Sequence, residues 1–109
     1  MDSNTVINKM VSLIEKIQSY TKDLDYDTFI LNDMAVEACA FNLSQLGELS
    51  HKIESDFQQD NPKIPWKAIY GMRNKIIHDY DGINLKVVWE TITEDLPHLL
   101  EQLKQIICK

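Results

Sequence analysis

Apolar residues recur along most of the chain at the three- and four-residue spacing of an amphipathic α-helix. The first series predicts a helix that starts after Ser3 or Asn4 and carries its apolar stripe to Leu24. Its stripe consists of Val6, Met10, Leu13, Ile17, Tyr20 and Leu24, widened by Ile7, Val11 and Ile14. No segment shows the alternation of period two that is typical of a half-buried strand. The pattern therefore predicts helices throughout.

A second apolar series follows the acidic segment "DLDYD", in which Asp25 or Asp27 is placed to cap a helix start. It predicts one long helix of about 30 residues that ends near Phe57. Its stripe consists of Phe29, Val36, Cys39, Leu43, Leu46, Ile53 and Phe57. Gly47 lies inside this helix at a cost of about 1 kcal/mol relative to alanine, which indicates close approach by a neighbouring backbone.

The segment "QQDNPKIP" predicts a loop, because Pro62 and Pro65 cannot lie in a helix interior. Pro65 is well placed to open a third, short helix that runs from Trp66 to about Asp79. The following "YDG" ends this helix, since Gly82 readily adopts the conformation preferred at a helix terminus.

A last helix is predicted from near Asn84 to Ile106. Its apolar stripe consists of Leu85, Val88, Ile92, Leu96, Leu99, Leu103 and Ile106. Pro97 predicts either a kink in this helix or a restart capped by Asp95. Trp66 and Trp89 stand at helix starts beside apolar neighbours and are interpreted as core or interface aromatics.

Four helices joined by short connections predict an all-α, up-and-down four-helix bundle with a short third helix. The 109 residues, of which 44% are hydrophobic and 26% charged, fit one compact domain over residues 1–109. Cys39 and Cys108 lack the spacing of a metal site or a redox pair, which favours free thiols in a reducing compartment. The absence of a signal peptide pattern or an apolar run long enough to span a membrane predicts a cytoplasmic protein with no membrane partner.

The charge of the chain is uneven. The formal net charge is −6, yet residues 61–78 contain Lys63, Lys67, Arg73 and Lys75 and no acid. A small cationic segment in an anionic protein favours transient contact with a phosphate group over extended nucleic-acid binding.

That cationic segment includes the stretch "YGMRNKIIHDYDG", which carries Arg73, the single arginine of the chain. On a helical wheel, Ile69, Met72 and Ile76 form the core-facing stripe. His78 falls on the polar face with Asn74 and Lys67, whereas Arg73 and Tyr80 lie one above the other at the border between the faces.

These residue types suit phosphodiester chemistry. Arginine holds a phosphate by two hydrogen bonds with a permanent charge, and histidine transfers protons near neutral pH. RNA cleavage requires a base for the ribose 2′-hydroxyl, an acid for the leaving oxygen and positive charge on the phosphate, so no metal is obligatory. One histidine cannot easily supply both acid and base, which predicts that two copies of the motif meet across a symmetric homodimer.

The motif resembles that of HEPN domains, and in particular their HepT-like toxin branch, whose signature is Arg-x4-His-x-Tyr. Here it consists of Arg73, "NKII", His78, Asp79 and Tyr80. The resemblance extends to the polar Asn74, the "LGE" of Leu46 to Glu48, the "IPW" of Ile64 to Trp66 and the "VW" of Val88 and Trp89. It covers nearly the whole chain.

The resemblance implies a metal-independent endoribonuclease that acts as a homodimeric toxin and is paired with an MNT-type nucleotidyltransferase antitoxin. It implies that Arg73 holds the scissile phosphate, His78 transfers protons and Asn74 supports the site. Tyr80 is then the position to which the antitoxin attaches AMP, with ATP only as the AMP donor and no cofactor in the nuclease. Lys67 and Lys75 are further candidates for substrate binding.

Two other interpretations stay open. The chain could instead be a non-catalytic helical subunit that binds nucleotide or a nucleotidyltransferase partner, which its acidic net charge suits. Alternatively, the pairs Glu48 with His51 and Asp95 with His98 have the spacing of ligands in carboxylate-bridged metal sites. Against a metal site, Glu48 and His51 lie off the predicted core stripe and Pro97 disturbs the second pair.

Overall fold

Polar side chains set the starts of most helices in this protein. The computed structural model describes the backbone of residues 2–78 and 84–107, and their side chains except those of residues 73–78. The elements in chain order are α1 (Ser3–Thr21), α2 (Tyr26–Ile30), α3 (Asp33–His51), α4 (Ser55–Asp60), α5 (Trp66–His78), α6 (Leu85–Glu90), a π-helical turn (Thr91–Asp95) and α7 (Leu96–Ile107). The described part of the chain contains no strand, which confirms the predicted all-α class.

The N-caps explain where the first helices begin. The Asp2 carboxylate accepts a hydrogen bond of 2.8 Å from the Thr5 backbone N–H, so α1 starts at Ser3, slightly earlier than predicted. Asp25 caps α2 as predicted, in a reciprocal capping box with Thr28. The hydrogen bond from the Thr28 backbone N–H lowers the pKa of the Asp25 carboxyl below its usual value.

The prediction of one continuous second helix is wrong, because the structure divides this region into α2, α3 and α4. The Asn32 side chain accepts a hydrogen bond of 3.0 Å from the Ala35 N–H and thereby starts α3 as a new helix. After α3, the Gln58 amide donates to the Ile53 carbonyl at 3.1 Å. Such side-chain bonds to the backbone compete with helical ones and stabilise the breaks.

The apolar stripe of that region nevertheless predicted burial for most of its members, although Val36 and Phe57 are only half-buried. Phe29, Cys39, Leu43, Leu46 and Ile53 are all buried, although they belong to different segments. Burial also raises the pKa of the Cys39 thiol to about 11, so this cysteine stays protonated near neutral pH. Cys108 lies outside the described residues.

The connection before α5 is shorter than the predicted loop, since Gln58, Gln59 and Asp60 belong to α4. Trp66 anchors this connection from the first position of α5. Its indole N–H donates to the Asn61 carbonyl at 3.0 Å, and its ring meets the Phe57 ring edge-on. Trp66 is buried and the half-buried Trp89 packs against Phe29 with ring centroids 5.0 Å apart, which confirms both tryptophans as core aromatics.

The last helix begins at Leu85, capped by Asn84, and passes through the π-helical turn into α7. In the widened turn the Leu96 backbone N–H donates to the Thr91 carbonyl five residues earlier. Pro97 lacks an N–H and its ring would clash with the carbonyl four residues before it in a regular α-helix, which the wider turn relieves. Asp95 lies inside the π-helical turn and not at a non-helical cap position, so the alternative of a restart capped by Asp95 is wrong.

Helix α3 is central to the packing. It packs against α1 on one side and α5 on another, and α1 packs in turn against α7. The core between them consists mainly of buried aliphatic side chains, among them Ile7, Ile14, Leu43, Leu46, Ile69, Leu96 and Leu103. No helix in residues 2–78 and 84–107 is long and apolar enough to span a membrane.

Candidate functional site on helix α5

Helix α5 carries all of the predicted site residues except Tyr80. The helix follows Pro65, whose carbonyl accepts a hydrogen bond of 3.0 Å from the Ile69 N–H. Ile69 is fully buried and Met72 is half-buried against the core, as the wheel predicted for this stripe. These two residues fix one face of α5 against the rest of the protein.

The positions of Arg73, Asn74, Lys75 and His78 fall in the last two turns of α5. Their backbone is helical, whereas their side chains are outside the described part of the structure. Tyr80 lies outside the described residues altogether. The roles that the resemblance implies for these five residues therefore stay predictions.

Lys67 is the one predicted substrate-binding residue with a described side chain. It is exposed in the first turn of α5 and lies on an open groove between α4 and α5. Gln58 and Trp66 also line this groove. The cationic start of α5 is thus accessible to an anionic ligand.

Sequence reasoning missed a contact between α3 and α5. The His51 imidazole stacks on the Tyr70 ring with centroids 4.4 Å apart and planes inclined by 20°. Tyr70 belongs to the stretch "YGMRNKIIHDYDG", and the sequence indicates His51 only as a candidate metal ligand. Because α3 and α5 pack along each other and the last residue of α3 meets the second turn of α5, we infer that the two helices run in opposite directions.

The metal-site hypothesis finds no support in the described side chains. Among them, no three His, Cys, Asp or Glu residues are grouped closely enough to hold a metal ion. The His51 ring is engaged with Tyr70, and Asp95 and His98 are both exposed.

Sequence reasoning also missed exposed apolar side chains just before α3 and in its first half. Leu31, Met34 and Phe41 are 82%, 83% and 62% exposed, and we call this set the α3 stripe. Met34 and Phe41 are seven residues apart and so lie on the same face of the helix. That spacing is visible in the sequence, but the buried stripe of the same helix obscured it.

Comparison with known families gives a match over almost the whole chain. The model of the family described as "Ribonuclease HepT-like" matches residues 10–106, a range that includes every motif position from Arg73 to Tyr80.

Similar curated proteins come from bacteria and archaea. A protein of Caldanaerobacter subterraneus subsp. tengcongensis, provisionally named as an RNase, is 33% identical over 95% of this chain and 89% of its own length. A protein of Methanocaldococcus jannaschii, also provisionally named as an RNase, is 35% identical over 97% of this chain and 91% of its own length. A protein of Thermococcus cleftensis, provisionally named ribonuclease HepT, is 33% identical over 85% of this chain and 84% of its own length. No solved structure matches the chain significantly.

Proposed function

The chain belongs to the HepT-like ribonuclease family, and from this premise we propose that it is a metal-independent endoribonuclease. The observation that carries the proposal is the family match, which spans the motif from Arg73 to Tyr80. The cationic segment 61–78 on an otherwise anionic chain also supports contact with RNA phosphates.

In the proposed reaction, the ribose 2′-oxygen attacks the adjacent phosphorus while a basic imidazole takes its proton. The new bond joins phosphorus to the 2′-oxygen, and the bond from phosphorus to the 5′-oxygen breaks. A protonated imidazole delivers the proton that the leaving 5′-oxygen needs, and the Arg73 guanidinium stabilises the charge on the phosphate. The products are a 2′,3′-cyclic phosphate and a 5′-hydroxyl.

A single His78 cannot hold and lack a proton at once, so we propose that a symmetric homodimer supplies the second imidazole. The α3 stripe is the surface that we assign to this dimer. Large exposed apolar patches mark interaction surfaces, and α3 packs along α5. A second copy seated on the stripe would lie beside the motif-bearing helix.

We further propose that the protein is the toxin of a toxin–antitoxin pair in the cytoplasm. The antitoxin would be an MNT-type nucleotidyltransferase that transfers AMP from ATP to Tyr80. Support comes from the Arg-x4-His-x-Tyr pattern and from electrostatics, because an anionic group near the sole arginine repels and displaces RNA.

The nuclease is tested by incubating the purified chain with RNA in EDTA. The parent is expected to cut, and His78→Ala is expected to lose at least about 100-fold in rate, the usual contribution of a general acid or base. His98→Ala is the matched control, because His98 is an exposed histidine on α7. It should cut like the parent.

Two results would contradict the proposal in different ways. A folded His78→Ala variant that cuts at the parental rate removes His78 from the chemistry. A parent that binds nucleotide or a partner and leaves RNA intact favours the non-catalytic subunit instead.

A further inference from the structure

The stack of His51 on Tyr70 presents an aromatic ring at the surface. His51 is exposed in the last turn of α3, whereas Tyr70 is half-buried in α5. With centroids 4.4 Å apart and planes inclined by only 20°, the rings are close to parallel. A nearly parallel pair with one solvent-accessible member can be extended by a third flat ring.

Packing of α3 on α5 does not account for the exposed member of this pair. The buried Ile69 and the half-buried Met72 supply the apolar contact of α5 with the core. An exposed imidazole removes little area from water and so contributes little to stability. The Tyr70 ring supports the His51 ring, and His51 is exposed to solvent.

The pair lies close to the predicted site along α5. Tyr70 precedes Arg73 by three residues, a rise of about 4.5 Å along the helix axis. It follows Lys67 by the same interval, and residues three apart are neighbours on a helix surface. Sites that bind single strands combine cations for the backbone with aromatic rings for the bases, and the sequence of α5 places residues of both kinds close together.

We propose that His51, supported by Tyr70, is a stacking platform for one unpaired nucleobase of the RNA substrate. This inference rests on the proposed RNA-cleaving function and adds the class of substrate. A base can stack here only when it is free of a duplex, so the enzyme acts on single-stranded RNA or on loops. Since every base has a π-face, the platform selects unpaired nucleotides with little preference among bases.

The test compares three substitutions in the full-length protein. His51→Ala removes the ring, His51→Phe replaces it with another flat ring, and Tyr70→Leu removes the support while it keeps apolar volume. His98→Ala is again the control. The probe is a single-stranded RNA of defined sequence, used intact and as a series in which each nucleotide in turn lacks its base.

Loss of one stacked base is expected to raise KM about tenfold and to leave kcat nearly unchanged. His51→Ala and Tyr70→Leu should both show this rise, whereas His51→Phe and His98→Ala should stay near the parental KM. With the parent, one member of the base-free series should show the same rise. On that RNA, the parent and His51→Ala should have equal KM values, because the lost base and the lost ring belong to one contact.

The outcomes separate this inference from the proposed function. An active parent and a His51→Ala variant with equal KM on intact RNA overturn the platform and leave the nuclease untouched. If the KM of His51→Ala exceeds that of the parent by the same factor on every base-free RNA, the ring acts through the fold. This result also overturns the platform. A parent that cuts no RNA overturns both. Thermal unfolding of each variant, with His51→Phe as the folded reference, identifies any general loss of structure.

Discussion

The proposed chemistry relies on side chains that are rare in this chain, which has one arginine and three histidines. The three histidines differ in position. His51 stacks on Tyr70, His98 is exposed on α7, and His78 shares α5 with Arg73. Their different surroundings allow each histidine to be replaced separately and compared with the other two.

A second prediction about a single residue concerns Tyr80. After incubation with the cognate nucleotidyltransferase and ATP, mass spectrometry is expected to find one AMP on Tyr80 and RNA cleavage is expected to fall in proportion. The reason is that the added phosphate repels the RNA backbone near Arg73.

Tyr80→Phe should remain unmodified, whereas Tyr20→Phe, which alters an exposed tyrosine on α1, should be modified like the parent. AMP found on another residue, or on none, would remove Tyr80 from the control of the enzyme.

At the scale of elements, α3 depends on its N-cap. Replacement of Asn32 by alanine should lower the free energy of unfolding by about 1 kcal/mol, because the Ala35 N–H loses its side-chain acceptor. Urea denaturation followed by circular dichroism measures this change.

Asn8→Ala provides a control of opposite sign. Asn8 lies within α1, where it is exposed and its amide donates to the Asn4 carbonyl. Alanine is the better helix former there, so a small gain in stability is expected. An equal decrease in the free energy of unfolding for both variants would mean that the Asn32 cap has no specific effect.

Element boundaries show where sequence reasoning succeeded and where it failed. The start of α5 at Trp66 and the start of the last helix after Asn84 were predicted correctly, because Pro65 and Gly82 interrupt the helical pattern just before them. The breaks that separate α2, α3 and α4 were missed. They depend on side-chain bonds such as Gln58 to Ile53, which an apolar periodicity does not record.

At the scale of the whole molecule, the α3 stripe leads to a prediction about assembly. Phe41→Glu should raise the dissociation constant of the homodimer at least tenfold, because a charge replaces a large apolar side chain in the contact. Sedimentation over a range of concentrations measures the change, and RNA cleavage should fall with the dimer fraction.

Tyr20→Glu is the matched control, since Tyr20 is an exposed aromatic residue on α1 outside the stripe. Added salt should strengthen the parental dimer, because each copy carries a formal charge of −6 and salt screens the repulsion. A parent that stays monomeric, or a monomeric Phe41→Glu variant with full activity, would contradict the proposed composite site.

The sequence by itself determined the helical class, most members of the buried stripes and the chemical character of the motif; Tyr20, which the first stripe includes, is exposed. Each of these follows from residue type and short-range spacing, which the chain carries before it folds. Only the tertiary structure decided which apolar residues remain exposed and which rings meet, as in the α3 stripe and the pair of His51 with Tyr70. These features arise because helices distant in sequence compete for the same buried surface, and that competition is resolved only when they pack.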